Sequence, residues 1–418
     1  MPDGARRLGP RVGAAPPTAR MGPREVIAFV AATMALNAFA IDMMLPALGL
    51  IDEALGARSE NDRQLVIIVY IIGNGIAQLF FGPLVDRFGR RRVLVGSLFG
   101  YLVGCVLSVI AGSFTLLLAA RAFQGVATAG ARVAVIASVR DQVAGRRMAE
   151  VMSFAITIFM AAPIVAPGIG QVVLAVASWR MIFIALLVYG VAVLTWAIAR
   201  MPETLAAERR APLRPGPAAQ AYLTFASNGC ALGYTLVSTM CFSALFGFIS
   251  MSEQLFNETF GVGEHFGIVF GSIAGALGAA TLVNAKLVGR FGMRRLTHAA
   301  VVGFVVISAA HVAAIAAFGD VFPVFMAAMC GSLFCLGLIG PNCNALAMEP
   351  MGRIAGAAAA AYGFISTTLA GVIGGVIGRF YDGSTGTVAG GFLALGLVAL
   401  VLALIVENGR LFRPGVAA

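Results

Sequence analysis

Two ionisable side chains sit inside long apolar runs. Asp42 lies in Ile41-Asp42-Met43-Met44-Leu45-Pro46-Ala47-Leu48, and Arg121 opens Arg121-Ala122-Phe123-Gln124-Gly125. A charge within a stretch of hydrocarbon length is costly and marks a working site more often than a structural one. If residues 25–49 and 115–138 are helices, Arg121 stands about seven residues from the outer end of its helix. Asp42 stands seven or eight from the outer end of its own. At 1.5 Å per residue both are roughly 11 Å deep. Side chains at one depth could share a cavity, directly or through water. A carboxyl there can take up and release a proton, and a neighbouring guanidinium would set when it does so. The competing readings are an interfacial helix-end acid for Asp42 and a structural, snorkelling Arg121.

Arg132 follows Arg121 by eleven residues, close to three helical turns. With Gln124, Gly125 and Thr128 it forms a stripe of polar or small residues expected to line the central cavity. Alternatively Arg132 snorkels to the inner surface. Glu253, in Ser250-Met251-Ser252-Glu253-Gln254, is a further acid in an apolar run.

Other chemistries find little support. The six cysteines (Cys105, Cys230, Cys241, Cys330, Cys335, Cys343) fall in or near apolar runs without metal-ligand spacing, and His265, His298 and His311 are scattered. They read as packed thiols, and no metal site is expected. No Gly-x-x-x-x-Gly-Lys-Ser/Thr run appears, nor a nucleophile paired with a base. An enzyme is therefore not expected, and any driving energy would come from an ion gradient.

The elements that must position these residues are membrane helices. The chain has 418 residues, 60% of them hydrophobic and 11% charged. A soluble surface needs about 25% charged residues. Apolar runs of spanning length recur from end to end and do not alternate as barrel strands would. The spans read as 25–49, 65–85, 93–112, 115–138, 151–175, 180–199, 233–256, 266–288, 297–318, 322–346, 356–378 and 388–406. The first is too long for a signal peptide and lacks a cleavage site, so it should remain as a spanning helix.

The net charge of +10 sits in the connecting loops, as a topology signal and not as a nucleic-acid surface. With the N-terminus inside, inner segments hold 22 arginines and outer segments only Arg58, Arg63, Arg180 and Arg379. Both termini are expected in the cytoplasm.

The expected organisation is a tail over 1–23, a six-helix half over 24–199, a proline-rich linker over 200–222, a second half over 223–406 and a tail over 407–418. A repeat supports the division. Leu84-Val85-Asp86-Arg87-Phe88-Gly89-Arg90-Arg91-Arg92 returns as Leu287-Val288-Gly289-Arg290-Phe291-Gly292-Met293-Arg294-Arg295, with seven of nine positions identical. Each copy joins the second and third helices of its half, as in a parallel duplication. In the first copy Gly82 and Gly89 would permit close approach and a sharp turn, and Asp86 could accept from a neighbouring Arg. A further pattern, Ala162-Pro163-Ile164-Val165-Ala166-Pro167-Gly168-Ile169-Gly170, removes two helix bonds and offers small contact residues.

The first loop, with Gly82, Asp86, Arg87, Gly89 and Arg90, resembles the signature loop of the major facilitator superfamily. The Pro163–Pro167–Gly170 pattern resembles the antiporter signature of its drug exporters, though Ala162 and Ala166 stand where Gly is common and Gln171 follows Gly170. With Ser178-Trp179-Arg180 and Pro202-Glu203-Thr204-Leu205 in family order, the chain is similar to the Bcr/CflA branch of multidrug:proton antiporters. Glu253 departs from that branch.

The resemblance implies an all-α membrane protein of twelve helices in two pseudo-symmetric halves. It implies a loop whose Asp–Arg contacts bind one half to the other; with Gly289 in the second copy, such a latch would be one-sided. It also implies proton-driven efflux of small amphipathic or lipophilic compounds by alternating access, in the bacterial inner membrane. Asp42 and Arg121 would be the coupling pair, the proton the coupling ion, with no cofactor, in a monomer within the lipid bilayer. The alternatives are a transporter of an anionic metabolite or siderophore, suggested by Arg121 and Arg132, and a membrane sensor that transports nothing.

Overall fold

A computed structural model describes residues 21–142, 145–210 and 215–412. The expected tail residues 1–20, Arg214 and residues 413–418 lie outside these, as do the side chains of Arg146 and Arg147. Every regular element among the described residues is helical. Backbone groups in hydrocarbon must bond within their own segment, which helices achieve.

Eleven described helices are long and apolar enough to span a membrane. They are α1 (Arg24–Leu55), α2 (Glu60–Phe88), α3 (Arg90–Val109), α4 (Phe114–Gln142), α6 (Arg180–Arg200), α7 (Gly229–Thr259), α8 (Gly263–Phe291), α9 (Met293–Phe318), α10 (Phe322–Gly352), α11 (Ala355–Gly378) and α12 (Gly386–Val406). The helix Gly145–Val176, α5, completes the set and carries Pro163 and Pro167 in its interior.

The packing repeats with a shift of six helices. In the first half α4 packs on α2 and α3, α1 on α5, and α3 on α6; in the second, α10 packs on α8 and α9, α7 on α11, and α9 on α12. The halves meet along two seams related by the same shift, α2 with α11 and α5 with α8. The duplicated loop has a duplicated shape: Gly89 (φ +95°) and Gly292 (φ +80°) end α2 and α8 by donating to Val85 O and Val288 O. Only glycine takes that backbone cheaply.

Three expectations are corrected. The first span is not one helix: α-helix ends at Asp42, a 3-10 turn covers Leu45–Ala47 around Pro46, and helix resumes over Leu48–Leu55. The apolar run hid this, because Asp52 and Glu53 continue the helix past the hydrophobic stretch. Asp42 is therefore thirteen residues from Leu55, about 20 Å at 1.5 Å per residue, deeper than expected. Second, α2 begins in a 3-10 turn at Glu60, so Glu60–Gln64 belong to the span. Third, a short helix, Pro215–Ser227, closes the linker, and Asn228 caps α7 through its side chain.

Candidate functional site

The break in α1 is built by its neighbours. A Cβ on Gly170 would fall on the Met43 carbonyl, so the α5 pattern lets that helix lie directly against the break. Asp42, 4% exposed, forms no hydrogen bond or ion pair among the described residues. Burying a polar group without a partner is costly, and such a group marks a working site more often than a structural one.

Arg121 bonds the α1 backbone at Ala40, two residues before Asp42, and is not its partner. Nε donates to Val66 O at 3.2 Å, a terminal nitrogen to Ala40 O at 2.8 Å, and the other to Gln124 Oε1 at 2.5 Å. The guanidinium lies 4.4 Å from the Tyr70 ring centre, a cation–π contact. Arg121 is fully buried. It ties α4 to α1 and α2, and the direct Asp42–Arg121 pairing is absent.

The helix-4 stripe also needs correction. Gln124 and Thr128 are buried, Gln124 donating to Cys105 Sγ at 3.0 Å and Thr128 to Gln124 O at 2.7 Å. A Cβ on Gly125 would collide with the Tyr70 carbonyl, and Asn74 donates to Gly125 O at 3.3 Å. These residues pack the seam of α4 with α2 and α3; they do not form a cavity wall. Small size serves helix contact here. Arg132 alone of the stripe keeps partial access, and it has no hydrogen-bond or ion-pair partner among the described residues.

A polar ladder that the sequence reading passed over runs down α2. Tyr70 donates to Asn37 Oδ1 at 3.0 Å, Asn74 to the same oxygen at 3.3 Å, and Gln78 to Asn74 Oδ1 at 3.3 Å. Gln78 also reaches Thr367 of α11 at 3.4 Å. Tyr70, Asn74 and Gln78 recur every four residues, a signal present in the sequence.

At the arginine-poor end, called outer here, polar groups join the halves. Arg63 pairs with Glu253 at 3.2 Å and with Glu258, and Arg379 pairs with Asp62 at 2.6 Å. Gln64 donates to Gln254 at 2.5 Å, and Gln254 to Asn61 at 2.8 Å. Gln171 clasps α8 by donating to Gly263 O and Glu264 O (2.8 and 2.7 Å) and accepting from Gly267 N–H at 2.9 Å. Sequence reading placed Asp62 and Arg63 in a loop because the polar cluster precedes the apolar run.

The arginine-rich end differs. Arg90 pairs with Asp86 at 3.1 Å and Asp141 at 2.7 Å, and its backbone N–H donates to Glu203 at 2.9 Å. The Glu203 carboxylate fills the space beside Gly89. Arg87 is exposed and without a partner among the described residues, and nothing lies within 4 Å of a Cβ on Gly82. The expected latch to the second half is therefore not closed: Asp86 and Arg90 bond within their own half and to the linker. Among the described residues no ion pair joins the halves at this end. Among the described residues, the ion pairs that join the halves all lie at the outer end.

The family model described as Major Facilitator Superfamily matches residues 30–378. The chain belongs to that superfamily. It is thus a membrane transporter, not an enzyme by family. It is 27% identical to an uncharacterised MFS-type transporter, YdgK, of Bacillus subtilis, over 85% of this chain and 89% of that one. A bicyclomycin resistance protein homologue of Haemophilus influenzae is 32% identical over 56% of this chain and 59% of its own. The multidrug resistance protein MdtL of Escherichia coli is 30% identical over 53% of this chain and 55% of its own. The matches to the last two span little more than half of those relatives. The solved structure of the human organic anion transporter MFSD10 (TETRAN) covers 94% of this chain at TM-score 0.67 and 18% identity, a likeness of fold.

Proposed function

We propose that this superfamily member exports small amphipathic or lipophilic compounds in exchange for protons, with both termini in the cytoplasm of a bacterial inner membrane. Asp42 carries the proposal: an enclosed, unpaired carboxyl at a helix break, held against the Gly170 pattern. Such a group can cross between charged and neutral forms as its surroundings open to one side and then the other. The resistance proteins among its relatives support the substrate class, and the arginine asymmetry supports the orientation. The test is efflux from proteoliposomes under an imposed pH gradient. Asp42→Asn should abolish uphill export and leave downhill exchange; uphill pumping by this variant would remove Asp42 from coupling.

A second reading rests on Arg132, a partly accessible cation without a partner among the described residues. It would suit an anionic substrate. Arg132→Ala separates the two readings, because only the anionic reading makes it lose anionic substrates selectively.

A further inference from the structure

The outer contacts of the two halves contain one balanced pair and one unbalanced cluster. Asp62 and Arg379 neutralise each other. Arg63 instead faces two acids of the second half, Glu253 and Glu258, with Asp52 of α1 within electrostatic reach of Glu253. One cation among three carboxylates leaves excess negative charge, and a proton relieves it.

The acids are not equivalent. The Glu258 side chain is 42% exposed, so solvent screens it. The Glu253 side chain is 4% exposed, and the α1 backbone presses on it: a Cβ at Gly49 would stand 2.9 Å from its Oε1. That oxygen accepts from Asn257 at 2.7 Å. Its Oε2 lies 3.2 Å from Arg63 but has no hydrogen-bond partner. A buried pair with unsatisfied atoms recovers less of its desolvation cost than a fully bonded one. The remaining neighbours are the Tyr381 hydroxyl and the paired Asp62 and Arg379. An open cavity of about 420 Å³ lined by Ser59, Glu60, Asn61, Glu258, Tyr381 and Asp382 brings solvent to Glu258, the other carboxylate on Arg63.

We propose that Glu253 is a second proton site, set in the outer gate, and that its protonation weakens the second half's hold on Arg63 and lets the halves part on the outside. Charged, Glu253 holds α7 to α2 across the halves. Neutral, it keeps only the Asn257 bond, and Arg63 is left with the solvent-screened Glu258. The proton arrives from the side that the gate opens to, so an acidic exterior favours the outward-open form. The inference rests on the proton-driven reading above only in giving that proton a use.

The test reads the gate without substrate. Ser250, 1% exposed and one turn inward of Gln254, lies behind the gate. In right-side-out vesicles of the full chain carrying Ser250→Cys, a membrane-impermeant maleimide is added outside. The rate is divided by that of an exposed reference, Arg58→Cys, which cancels the thiol's own pH response; the protein with native cysteines alone gives the baseline. The ratio should rise about tenfold from pH 8 to pH 5.5 with Glu253 present, and stay high at both with Glu253→Gln. Asp52→Asn, which keeps an acceptor for the Ala57 N–H, removes a nearby negative charge and should move the rise to lower pH. A ratio independent of pH in the presence of Glu253, or an unchanged rise in Glu253→Gln, overturns the proposal; if Glu253→Gln does not fold, an unmoved midpoint in Asp52→Asn does so. If the gate responds as stated but no proton-driven export is found, the efflux reading fails and the gate stands.

Discussion

Arg121 illustrates how far burial changes a residue's expected role. Its three acceptors are Val66 O, Ala40 O and Gln124 Oε1, on α2, α1 and α4. Arg121→Ala would strand two backbone carbonyls and one amide oxygen, and would empty a fully buried site beside Tyr70. At ~1.5 kcal/mol for each bond to a charged donor, the low end of the usual range, with the cation–π contact added, the loss is about 5 kcal/mol. For a chain of this size that corresponds to a fall in melting temperature on the order of 5 °C. Arg121→Lys keeps the charge but offers one point donor where a planar fork reached three acceptors. It should recover less than half of the loss. The assay is thermal unfolding of the purified transporter in detergent, followed by tryptophan fluorescence, beside efflux at several pH values. If Arg121 is chiefly a strut, stability and rate fall together and the pH optimum stays. A normal melting temperature in Arg121→Ala with a displaced pH optimum would refute this reasoning and restore Arg121 as the tuner of Asp42.

Further predictions address the seams and the cavity. Gly125→Ala places a methyl on the Tyr70 carbonyl, so α2 and α4 must separate; overpacking of this kind costs about 1–3 kcal/mol and should appear as a lower melting temperature. Glu203→Gln removes the charge that holds the Arg90 N–H and flanks Gly89, and should slow turnover with surface expression unchanged; normal turnover in vesicles would remove the linker from gating. Arg132→Ala should impair anionic substrates more than cationic ones if Arg132 reads substrate charge, and equal transport of both would exclude the anion reading.

The sequence made some levels legible and left others closed. Helix count followed from apolar runs because hydrocarbon forces helices, and the duplicated Phe-Gly turn announced the two halves. Helix ends were less legible. The α1 break at Asp42 is invisible to hydropathy, since Met43, Met44 and Leu45 are as apolar as a helix needs. The start of α2 was misplaced for the opposite reason: Asp62, Arg63 and Gln64 look like loop residues, yet they are buried where α7 and α11 cover them. The stripe of Gln124, Gly125 and Thr128 was found correctly on one helix, but periodicity does not say what that face meets. Its face meets α2 and α3. The Tyr70–Asn74–Gln78 ladder carried a readable spacing, obscured by the more conspicuous charges.

The seams between the halves suit the two-body movement that the proposed export requires. Along α5 and α8, Gly168 abuts Gly267, and Gly271 faces Ile164 O. Along α2 and α11, Gly75 abuts Thr368, and Gly371 and Gly375 face Ile71 and Ile68. Small residues against backbone or apolar side chains give smooth contacts with few hydrogen bonds to break when they slide. Within the first half the cross-links are specific instead: Arg121 to two carbonyls, Arg180 to Val109 O and Ala111 O, Arg90 to Asp86 and Asp141. Deforming that half would break these bonds, whereas rocking it on the seams would not. The directional interactions between halves are concentrated at the outer end, in the Arg63, Asp62 and Gln171 contacts. In the proposed cycle the cost of parting the outer side therefore lies chiefly there, and a proton on Glu253 would lower it directly, apart from the coupling assigned to Asp42.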